Sequence, residues 1–411
     1  MRGGDMKIAL CHYSCPPHVG GIESLVEQQA LALKRDHHFV KVIAGAGNKF
    51  SPDIDVDINP MLSSGIMGMY WDRSMNDQEK MMEPQVNSIM EFLEYSLASF
   101  DLLIVHNVLV MPYNLPLTHA ILRIAQKGAV KVVSWNHDSL FFDEAQRNAC
   151  PASWEVLRHA SPYVRYVCTT QDHKQSFEEL YGRHIDIAVI PCGISIADFI
   201  RLQSVTYLLM DEKRLYETDM ILLHPAMFRP DKNIEFSIEV IKALIRKGVN
   251  AVLLLTAVMD PHDPVSVECH DRIKRILRRD ELSGQVLFVS EFVHRHTSSP
   301  VVSTAVLRDL YKLSDILIMP NIRNGYGTSL LEAAISRLPI ACSDIPGFRR
   351  LLGDNGCMFA LEEGPDVAAE KICLQVSACI GSIFRMVFRD YNSEHLYRTK
   401  MLPLLQDIMR S

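Results

Sequence analysis

Residues 319–332 read MPNIRNGYGTSLLE, and this stretch decides how the whole chain is interpreted. An apolar strand is predicted to end at Met319, a loop with two glycines follows, and a helix is predicted to begin near Thr328. Gly325 and Gly327 allow the backbone to turn tightly and to approach a ligand closely. Because the first amides of a helix have no acceptor within it, such a loop and helix can bind an anion, for example a diphosphate.

The start of this helix offers further binding groups. The free amides of Thr328, Ser329 and Leu330 would face the anion from the positive end of the helix. Glu332 lies about one turn further along, where a carboxylate can accept hydrogen bonds from the hydroxyl groups of a ribose. Taken alone, the pattern also fits a plain strand-to-helix turn with a solvated glutamate.

Short apolar runs alternate with amphipathic helical segments along most of the chain, which is typical of repeated βαβ units and parallel sheets. Strands of a first series are predicted at Lys7–Cys11, Phe39–Ala44, Leu102–His106, Val130–Trp135, Tyr166–Thr169 and Ile187–Ile190. Strands of a second series are predicted at Met220–His224, Ala251–Thr256, Val286–Val289, Ile316–Met319 and Ile340–Cys342. The Met-rich segment Gly45–Gln85 interrupts the rhythm and indicates either an excursion near a binding mouth or an irregular insertion.

We therefore expect an α/β protein with two tandem Rossmann-like doubly wound domains and a cleft between them. The N-terminal domain is predicted to span residues 1–195 and the C-terminal domain residues 218–382, with a linker at 196–217. Residues 383–411 are predicted to form helices that pack on the body. Doubly wound sheets bind ligands at the carboxyl ends of their strands, so the cleft is the expected site.

The composition is that of a globular protein with two domains. The chain has 411 residues, 48% hydrophobic and 22% charged, and domains of roughly 150–200 residues are usual. The net charge of -7 gives no general attraction to nucleic acid or to an anionic membrane, although a local basic patch stays open. The start does not resemble a signal peptide, the apolar runs are too short to cross a bilayer, and the ten cysteines include no Cys-x-x-Cys pair. We expect a cytoplasmic protein with reduced thiols.

Several segments match one known family in order and spacing. Asn324-Gly-Tyr-Gly is followed by Glu332-Ala-Ala, by the segment from Leu338 to Asp344, and by Gly347. Together they resemble the donor-site signature of the retaining glycosyltransferases of the GT-B fold, the family 4-like members of glycosyl transferases group 1. The first loop with Gly20 and Gly21, Ile190-Pro-Cys-Gly, and Trp135-Asn-His-Asp are similar to further family segments. Asp260-Pro-His-Asp-Pro is similar to a loop of the subgroup that builds glucosylglycerate-type and related compatible-solute and glycolipid sugars.

The resemblance implies transfer of a hexose from a nucleotide sugar to a hydroxyl acceptor with retention of configuration, without a metal ion or other cofactor. It implies catalytic roles for His137, Lys232 and Asn324. It implies donor-binding roles for Gly20, Gly21, Arg229, Lys232, Gly325, Tyr326, Gly327, Thr328, Ser329 and Glu332. The expected acceptor is a sugar, a hydroxy acid or a glycolipid. No nucleic acid and no transmembrane segment are expected, and peripheral membrane contact stays open.

Two positions depart from the family pattern. Asn324 stands where the family has the first glutamate of its pair, and Met227 stands where it has an arginine five residues before the lysine. Arg229 is the nearest replacement for that arginine. These departures leave a second interpretation open, a catalytically impaired nucleotide-sugar-binding subunit of a glycosyltransferase complex.

The same residues also fit other interpretations. His137 also fits a core histidine, and Lys232 also fits a surface lysine. The alternating aspartates Asp53, Asp55 and Asp57 imitate a metal-binding motif, but they lie in an irregular polar stretch. An epimerase or phosphorylase of similar fold would need acidic pairs or a further phosphate site, neither of which is visible. An NAD enzyme would have a Gly-x-Gly-x-x-Gly loop after its first strand, and none follows here.

Overall fold

A computed structural model describes residues 5–65, 75–142, 151–182, 185–297, 302–323, 328–353, 355–378 and 381–410. The chain forms two compact units. The first unit contains Met1–Ser195 and Ser393–Ser411, and the second contains Ile196–Asn392. Within the described ranges, no helix is both long enough and apolar enough to pass through a membrane.

The first unit contains a parallel sheet of seven described strands in the order β3-β2-β1-β4-β5-β6-β7. The strands are β1 (Lys7–Ser14), β2 (Phe39–Ala46), β3 (Asp55–Ile58), β4 (Leu102–His106), β5 (Lys131–Asn136), β6 (Val164–Cys168) and β7 (Ile187–Val189). Its helices are α1 (Gly21–Arg35), α2 (Met75–Leu97), α3 (Leu115–Lys127) and α4 (Gln171–Tyr181). The strand order reverses between β1 and β4, which pair in register from Ile8 opposite Leu102.

Burial explains why the central strands were predictable. Every residue of β4 is buried, and β1 is buried from Ile8 to Tyr13, because apolar side chains pack on both faces of the sheet. One core of this unit lies between the sheet and α2, α3 and α4, and the other lies between the sheet and α1. Both faces of the sheet are therefore covered, as in a doubly wound domain.

The prediction of an irregular segment at Gly45–Gln85 is wrong in two places. Residues 55–58 form the edge strand β3, and residues from Met75 onward form α2. The strand has no fully buried residue, so its sequence lacks the apolar run that marks the central strands. Asp57 on this strand pairs with Lys41 of β2 at 2.9 Å, and Asp55 lies 3.9 Å from Lys49.

The second unit contains a parallel sheet of six described strands in the order β10-β9-β8-β11-β12-β13. The strands are β8 (Met220–His224), β9 (Ala251–Leu255), β10 (Val286–Phe288), β11 (Ile316–Met319), β12 (Ile340–Ser343) and β13 (Cys357–Phe359). The helices are α5 (Ile196–Phe199), α6 (Ser204–Glu212), α7 (Ile234–Arg246), α8 (Pro264–Arg279), α9 (Val289–Thr297), α10 (Thr304–Leu313), α11 (Thr328–Ile335), α12 (Pro346–Leu352), α13 (Pro365–Ala378) and α14 (Gly381–Asp390). The strand order reverses between β8 and β11. The α/β architecture expected from the sequence is confirmed, with a doubly wound parallel sheet in each unit.

The structure differs from the predicted linker at residues 196–217. This stretch forms α5, α6 and a short 3₁₀ turn, and all of it belongs to the second unit. A buried carboxylate ties this stretch to the second unit. Asp309 of α10 accepts hydrogen bonds from the backbone amide of Gln203 at 2.6 Å and from the hydroxyl of Thr206 at 3.0 Å. An anion that is fully buried must be paired with donors, so α6 is held against α10.

The predicted C-terminal helices at residues 383–411 are divided between the units. Helix α14 lies in the second unit, where Arg385 forms a buried ion pair with Asp315 at 2.6 Å. The following helices, α15 (Ser393–Leu396) and α16 (Leu402–Arg410), belong to the first unit. There Tyr397 donates a hydrogen bond to Asp36 at 2.9 Å, and Leu405 is fully buried.

Candidate functional site

Three histidines lie where the strand order of the first sheet reverses. His12 lies near the end of β1, His106 is the last residue of β4, and His137 directly follows β5. The rings of His106 and His137 stack with their centroids 5.5 Å apart and their planes 16° from parallel. Carboxyl ends of parallel strands at such a reversal form the crevice in which doubly wound sheets bind ligands.

Hydrogen bonds fix the orientation of these imidazoles. His12 Nδ1 donates to the His106 carbonyl oxygen at 2.8 Å, and His106 Nδ1 lies 3.2 Å from His137 Nε2. On the other side of the ring, His137 Nδ1 lies 3.5 Å from Cys192 Sγ. The backbone amide of His137 donates to Asn107 Oδ1 at 2.6 Å, and Asn107 adopts a left-handed φ of 57°. Both nitrogens of the His137 ring therefore have partners, of which the thiol is the weaker.

Burial keeps the imidazoles of this group uncharged. It lowers the pKa of His137 to about 4, with smaller contributions from the positive charges that His12 and His173 would carry. Burial also lowers the pKa of His106 well below its ordinary value, and it lowers that of His12. At neutral pH the His106–His137 contact is thus a hydrogen bond between two neutral rings, one donating and the other accepting.

Gly20 and Gly21 lie at the start of α1, close to the end of β1. Gly20 precedes the helix and Gly21 is its first residue. The side chain of Glu23 folds back over this point, and its Oε1 accepts a hydrogen bond from the Ser14 hydroxyl at 2.5 Å. A Cβ on residue 20 would lie 2.0 Å from Glu23 Oε2, whereas one on residue 21 would meet nothing within 4 Å. The glycine at position 20 therefore makes room for this carboxylate.

In the second unit, Lys232 lies at the corresponding reversal of strand order. It ends the 3₁₀ turn Pro230–Lys232, which follows β8 and precedes α7. Its ammonium group lies 3.3 Å from Asp231 Oδ2, and about a quarter of the side chain is exposed. The next residue, Asn233, adopts a left-handed φ of 50° and turns the chain into α7.

A backbone hydrogen bond joins this turn to the loop after β11. The amide of Ile322 donates to the carbonyl oxygen of Asp231 at 2.9 Å. Beside it, the Ser343 hydroxyl donates to the carbonyl oxygen of Asn321 at 2.7 Å and so ties the same loop to the end of β12. The carboxyl ends of β8, β11 and β12 are therefore held together where the glycine-bearing segment begins.

Arg229 and Met227 lie on the approach to the lysine turn. The guanidinium of Arg229 is about half exposed and lies 3.5 Å from Asp263 Oδ2. The side chain of Met227 is also exposed, and its carbonyl oxygen accepts a hydrogen bond from the Arg229 amide at 2.8 Å. Of these two side chains only that of Arg229 is charged, and it faces Asp263, the N-cap residue of α8.

Glu332 lies one turn inside α11, which begins at Thr328 as predicted. Its Oε2 accepts a hydrogen bond from the hydroxyl of Tyr311 at 2.7 Å, and that hydroxyl is also 3.4 Å from the Ser329 carbonyl oxygen. Tyr311 is buried, and burial together with the neighbouring carboxylate raises the pKa of its phenol. The exposed carboxylate is therefore anchored through one oxygen.

A further histidine lies beneath the lysine turn. His224, the last residue of β8, is buried, and its Nδ1 lies 3.0 Å from the Ser237 hydroxyl. Burial lowers its pKa to about 3, and the positive charge of Lys232 lowers it further. Its Nε2 has no hydrogen-bond partner within the described ranges. The imidazole is thus neutral and adds no positive charge to this region.

Two family models match the chain, one in each half. The model described as Glycosyltransferase Family 4 matches residues 19–198, and the model described as Glycosyl transferases group 1 matches residues 219–376. The chain belongs to the family 4-like glycosyltransferases of the GT-B fold.

A curated relative and two solved structures are similar to this glycosyltransferase. Mannosylglucosylglycerate synthase of Petrotoga mobilis is 22% identical over an alignment of 305 residues, which covers 68% of this chain and 67% of the relative. A sucrose-phosphate synthase from Thermosynechococcus elongatus has a TM-score of 0.39 at 16% identity, over 99% of this chain and 100% of that one. A glycosyltransferase from Rickettsia africae has a TM-score of 0.38 at 15% identity, with both chains covered completely.

The structure of the glycosyltransferase brings the predicted site residues into two groups, one in each unit. Gly20, Gly21 and His137 lie at strand ends of the first unit, and Arg229, Lys232, Thr328, Ser329 and Glu332 lie at strand ends of the second. Asn324, Gly325, Tyr326 and Gly327 lie outside the described residues. Within those residues, no group of three or more His, Cys, Asp and Glu side chains is arranged to hold a metal ion.

The sequence interpretation missed three residues that contact the predicted ones, His106, Cys192 and Tyr311. It also missed His224, whose pKa is lowered in part by the charge of Lys232. Two of these carried a readable signal. His106 and His224 each end a fully apolar run, and a polar residue at the carboxyl end of a buried strand faces the ligand edge of a parallel sheet. Cys192 and Tyr311 meet their partners only through the fold, so spacing along the chain does not pair them with His137 and Glu332.

Proposed function

We propose that this glycosyltransferase moves a hexosyl group from a nucleotide-sugar donor to a hydroxyl acceptor, with retention of configuration and without a metal ion. The observation that supports this most strongly is the hydrogen bond between the Ile322 amide and the Asp231 carbonyl oxygen. It joins the turn that bears Lys232 to the loop that leads into α11, at the reversal of strand order in the second sheet. A cation and a helix N-terminus converging at such a point suit a diphosphate.

In this proposal the donor diphosphate rests on the first amides of α11, contributed by Thr328 and Ser329. Lys232 and Arg229 supply full positive charges, which replace the metal ion that many diphosphate-binding sites use. Both cations already face carboxylates, Asp231 at 3.3 Å and Asp263 at 3.5 Å respectively. Because these pairs are partly exposed, each is worth little, and a diphosphate can displace the carboxylate at low cost.

Glu332 is assigned to the ribose of the donor. Tyr311 holds one carboxylate oxygen at 2.7 Å, so the rotamer of the glutamate is set before the ligand arrives. The exposed carboxylate can still accept hydrogen bonds from two adjacent ribose hydroxyls, because each of its oxygens has two lone pairs. Such preorganisation lowers the entropic cost of binding the donor.

His137 is assigned to the reacting sugar or to the acceptor hydroxyl. With its pKa at about 4, its imidazole is neutral at the pH of a cell and can accept a hydrogen bond from a hydroxyl group. Nδ1 is the nitrogen that we assign to this contact, since its partner at 3.5 Å is the Cys192 thiol, a weak hydrogen-bonding group. Nε2 stays bonded to His106, which keeps the ring in place.

Rate enhancement in this scheme comes from orientation and from stabilisation of the leaving diphosphate. The residues assigned to the reaction include no enzymic nucleophile placed for a covalent intermediate. As the bond between the sugar and the diphosphate breaks, negative charge grows on the phosphate oxygens next to Lys232 and the helix amides. A single preorganised donor of this type accounts for about 10²–10³-fold in rate in other enzymes.

The acceptor is proposed to be a small polar molecule, a hydroxy acid or a sugar. The name of the Petrotoga mobilis relative, mannosylglucosylglycerate synthase, supports this class of acceptor. The Asp260-Pro-His-Asp-Pro loop agrees with the same subgroup, and its Asp263 both caps α8 and faces Arg229.

The test is release of nucleoside diphosphate by the purified protein, across a panel of nucleotide sugars offered with hydroxy-acid, sugar and lipid acceptors. We expect release from one donor, unchanged by EDTA, and a product whose anomeric proton coupling in NMR matches that of the donor. Loss of release with EDTA would contradict the metal-free scheme, and an inverted product would contradict retention. No release from any donor would refute the transferase proposal and favour the impaired binding subunit, with Asn324 and Met227 as its explanation.

A further inference from the structure

A basic cavity lies in the second unit, away from the lysine turn. It has a volume of about 260 Å³ and lies among the ends of α6, α8 and α9 and the edge strand β10. It shares no residue with the group around Lys232. Four cationic side chains and one carboxylate line it: Lys213, Lys274, Arg278, Arg295 and Glu291.

Among the described residues, three of the four cations in this cavity have no counter-charge. Lys274 is neutralised by Glu291, with Nζ and Oε2 2.7 Å apart. Within the part of the chain that the structure describes, Lys213, Arg278 and Arg295 form no ion pair. The chain as a whole has a net charge of -7, so this cavity is locally positive in a protein that is negative overall.

Helix termini account for only part of this positive charge. Lys213 directly follows α6, Arg278 lies in the last turn of α8, and Arg295 lies in the last turn of α9. A helix C-terminus carries roughly half a negative charge, so three of them offset about half of the three cations. The remaining excess, about one and a half positive charges, is close to the charge of about −1.5 to −2 that a phosphate monoester carries at neutral pH.

The rest of the cavity wall is apolar and aromatic. Leu277, Phe288 and Phe292 contribute to it, and the ammonium group of Lys274 lies 4.1 Å from the centre of the Phe288 ring. The side chains of Lys213, Arg278 and Arg295 are themselves exposed to water. The apolar wall provides a surface for a short carbon skeleton attached to an anion.

An open depression of about 550 Å³ adjoins the cavity and shares Lys274 and Arg278 with it. It adds the exposed side chains of Arg275 and Asp271, one positive and one negative, and the half-buried imidazole of His270. The cations Lys274, Arg275 and Arg278 outnumber the carboxylate of Asp271 in this depression, which favours the approach of an anion.

We propose that the cavity lined by Lys213, Arg278 and Arg295 is a binding site for a phosphate monoester group. Arg278 and Arg295 hold the phosphate oxygens, since a guanidinium matches two of them at once, and Lys213 adds a third charge. The volume is below the usual range of roughly 300–1,000 Å³ for ligand pockets, so the organic part is limited to a few carbon atoms. The site does not depend on the transferase reaction, which uses other residues.

Binding of two probes to the full-length protein tests the site. Glycerol 1-phosphate is titrated calorimetrically, and phosphatidylcholine vesicles containing phosphatidic acid are used in cosedimentation. The double variant Arg278→Gln/Arg295→Gln is compared with Arg246→Gln, which removes an exposed arginine from the last turn of α7. We expect the double variant to bind at least about tenfold more weakly, because each lost guanidinium removes charge-assisted hydrogen bonds.

The two probes separate the possible sources of the phosphate. Binding of glycerol 1-phosphate that the double variant loses assigns the site to a free metabolite, and loss of vesicle binding alone assigns it to a lipid headgroup. Lys232→Ala should bind both probes as the wild type does, and thermal unfolding should show that all variants are folded. The proposal is overturned if neither probe binds, if the double variant binds like the wild type, or if Lys232→Ala or Arg246→Gln loses binding to the same extent.

Discussion

The two units have the same kind of sheet, yet the side chains at their reversals of strand order differ in charge and in contact with water. In the first unit the reversal carries His12, His106 and His137, which burial keeps neutral. In the second it carries Lys232 and Arg229, whose charged groups are partly exposed and face carboxylates. One architecture thus presents neutral hydrogen-bonding groups in one place and full charges in the other.

The difference follows from where each side chain leaves the sheet. His106 is the last residue of a fully buried strand, so its ring enters the protein interior and a charge there would be costly. Lys232 comes eight residues after the last residue of β8, on a turn that reaches water. Residue type and exposure together therefore decide whether a group at this edge of the sheet acts as a neutral partner or as a cation.

Replacing the central cation should have the largest effect. We expect Lys232→Ala to lower kcat by about 100- to 1,000-fold, because growing charge on the leaving diphosphate would lose its counter-ion. The measurement is steady-state release of nucleoside diphosphate, with Lys247→Ala, an exposed lysine just after α7, as the matched control. Wild-type turnover in Lys232→Ala would remove the lysine from the mechanism.

Neutralising Glu332 should have a smaller effect, on donor binding. We expect Glu332→Gln to raise KM for the donor by about tenfold, because a hydrogen bond to a charged acceptor is worth about 1.5–3 kcal/mol. The kcat should change little, since the ribose contact is the same in the ground state and the transition state. The control is Glu362→Gln, an exposed glutamate of the same unit. An unchanged KM would show that the carboxylate does not contact the donor.

The half-buried imidazole of His137 should affect stability in acid. The pKa of His137 is about 4 in the folded protein and about 6.5 in an unfolded chain, so between these values only the unfolded state takes up the proton. Lowering the pH through this window therefore destabilises the fold. His137→Gln should lose less free energy of unfolding between about pH 7 and about pH 5 than the wild type, as measured by urea unfolding.

The matched control for the acid effect is His159→Gln. This histidine is exposed and contacts Glu155 at 2.9 Å. It should lose stability in acid as the wild type does. Equal acid sensitivity in wild type and His137→Gln would mean that His137 is not kept neutral by burial.

Much of the fold was predictable because the sequences of buried strands are continuous apolar runs. The predicted strands Leu102–His106, Met220–His224 and Ile316–Met319 match β4, β8 and β11 at both ends. Strand β3 was missed because it lies at a sheet edge with a polar sequence. The three-residue strand β13 was also missed. The sequence of residues 196–217 alone indicates a linker, since the buried Asp309 that holds this stretch lies about 100 residues away.

The candidate site was predictable to the extent that its residues follow strands in sequence. Glu332 could be named from its distance to the glycine loop, and Lys232 from the resemblance to the family pattern. The partners of the site residues could not be named in this way. Tyr311 reaches Glu332 from another helix, and Cys192 lies 55 residues after its partner His137 in the chain. Contacts of this kind exist only after folding.

The division of roles between the units is tested most directly by calorimetric titration of the nucleoside diphosphate that the donor panel identifies. The titration compares wild type, Lys232→Ala and His137→Gln. We expect Lys232→Ala to bind at least about tenfold more weakly, because it loses a charge-assisted phosphate contact, while His137→Gln binds as the wild type does. Equal weakening in both variants, or unchanged binding in Lys232→Ala, would contradict the assignment of the diphosphate to the second unit.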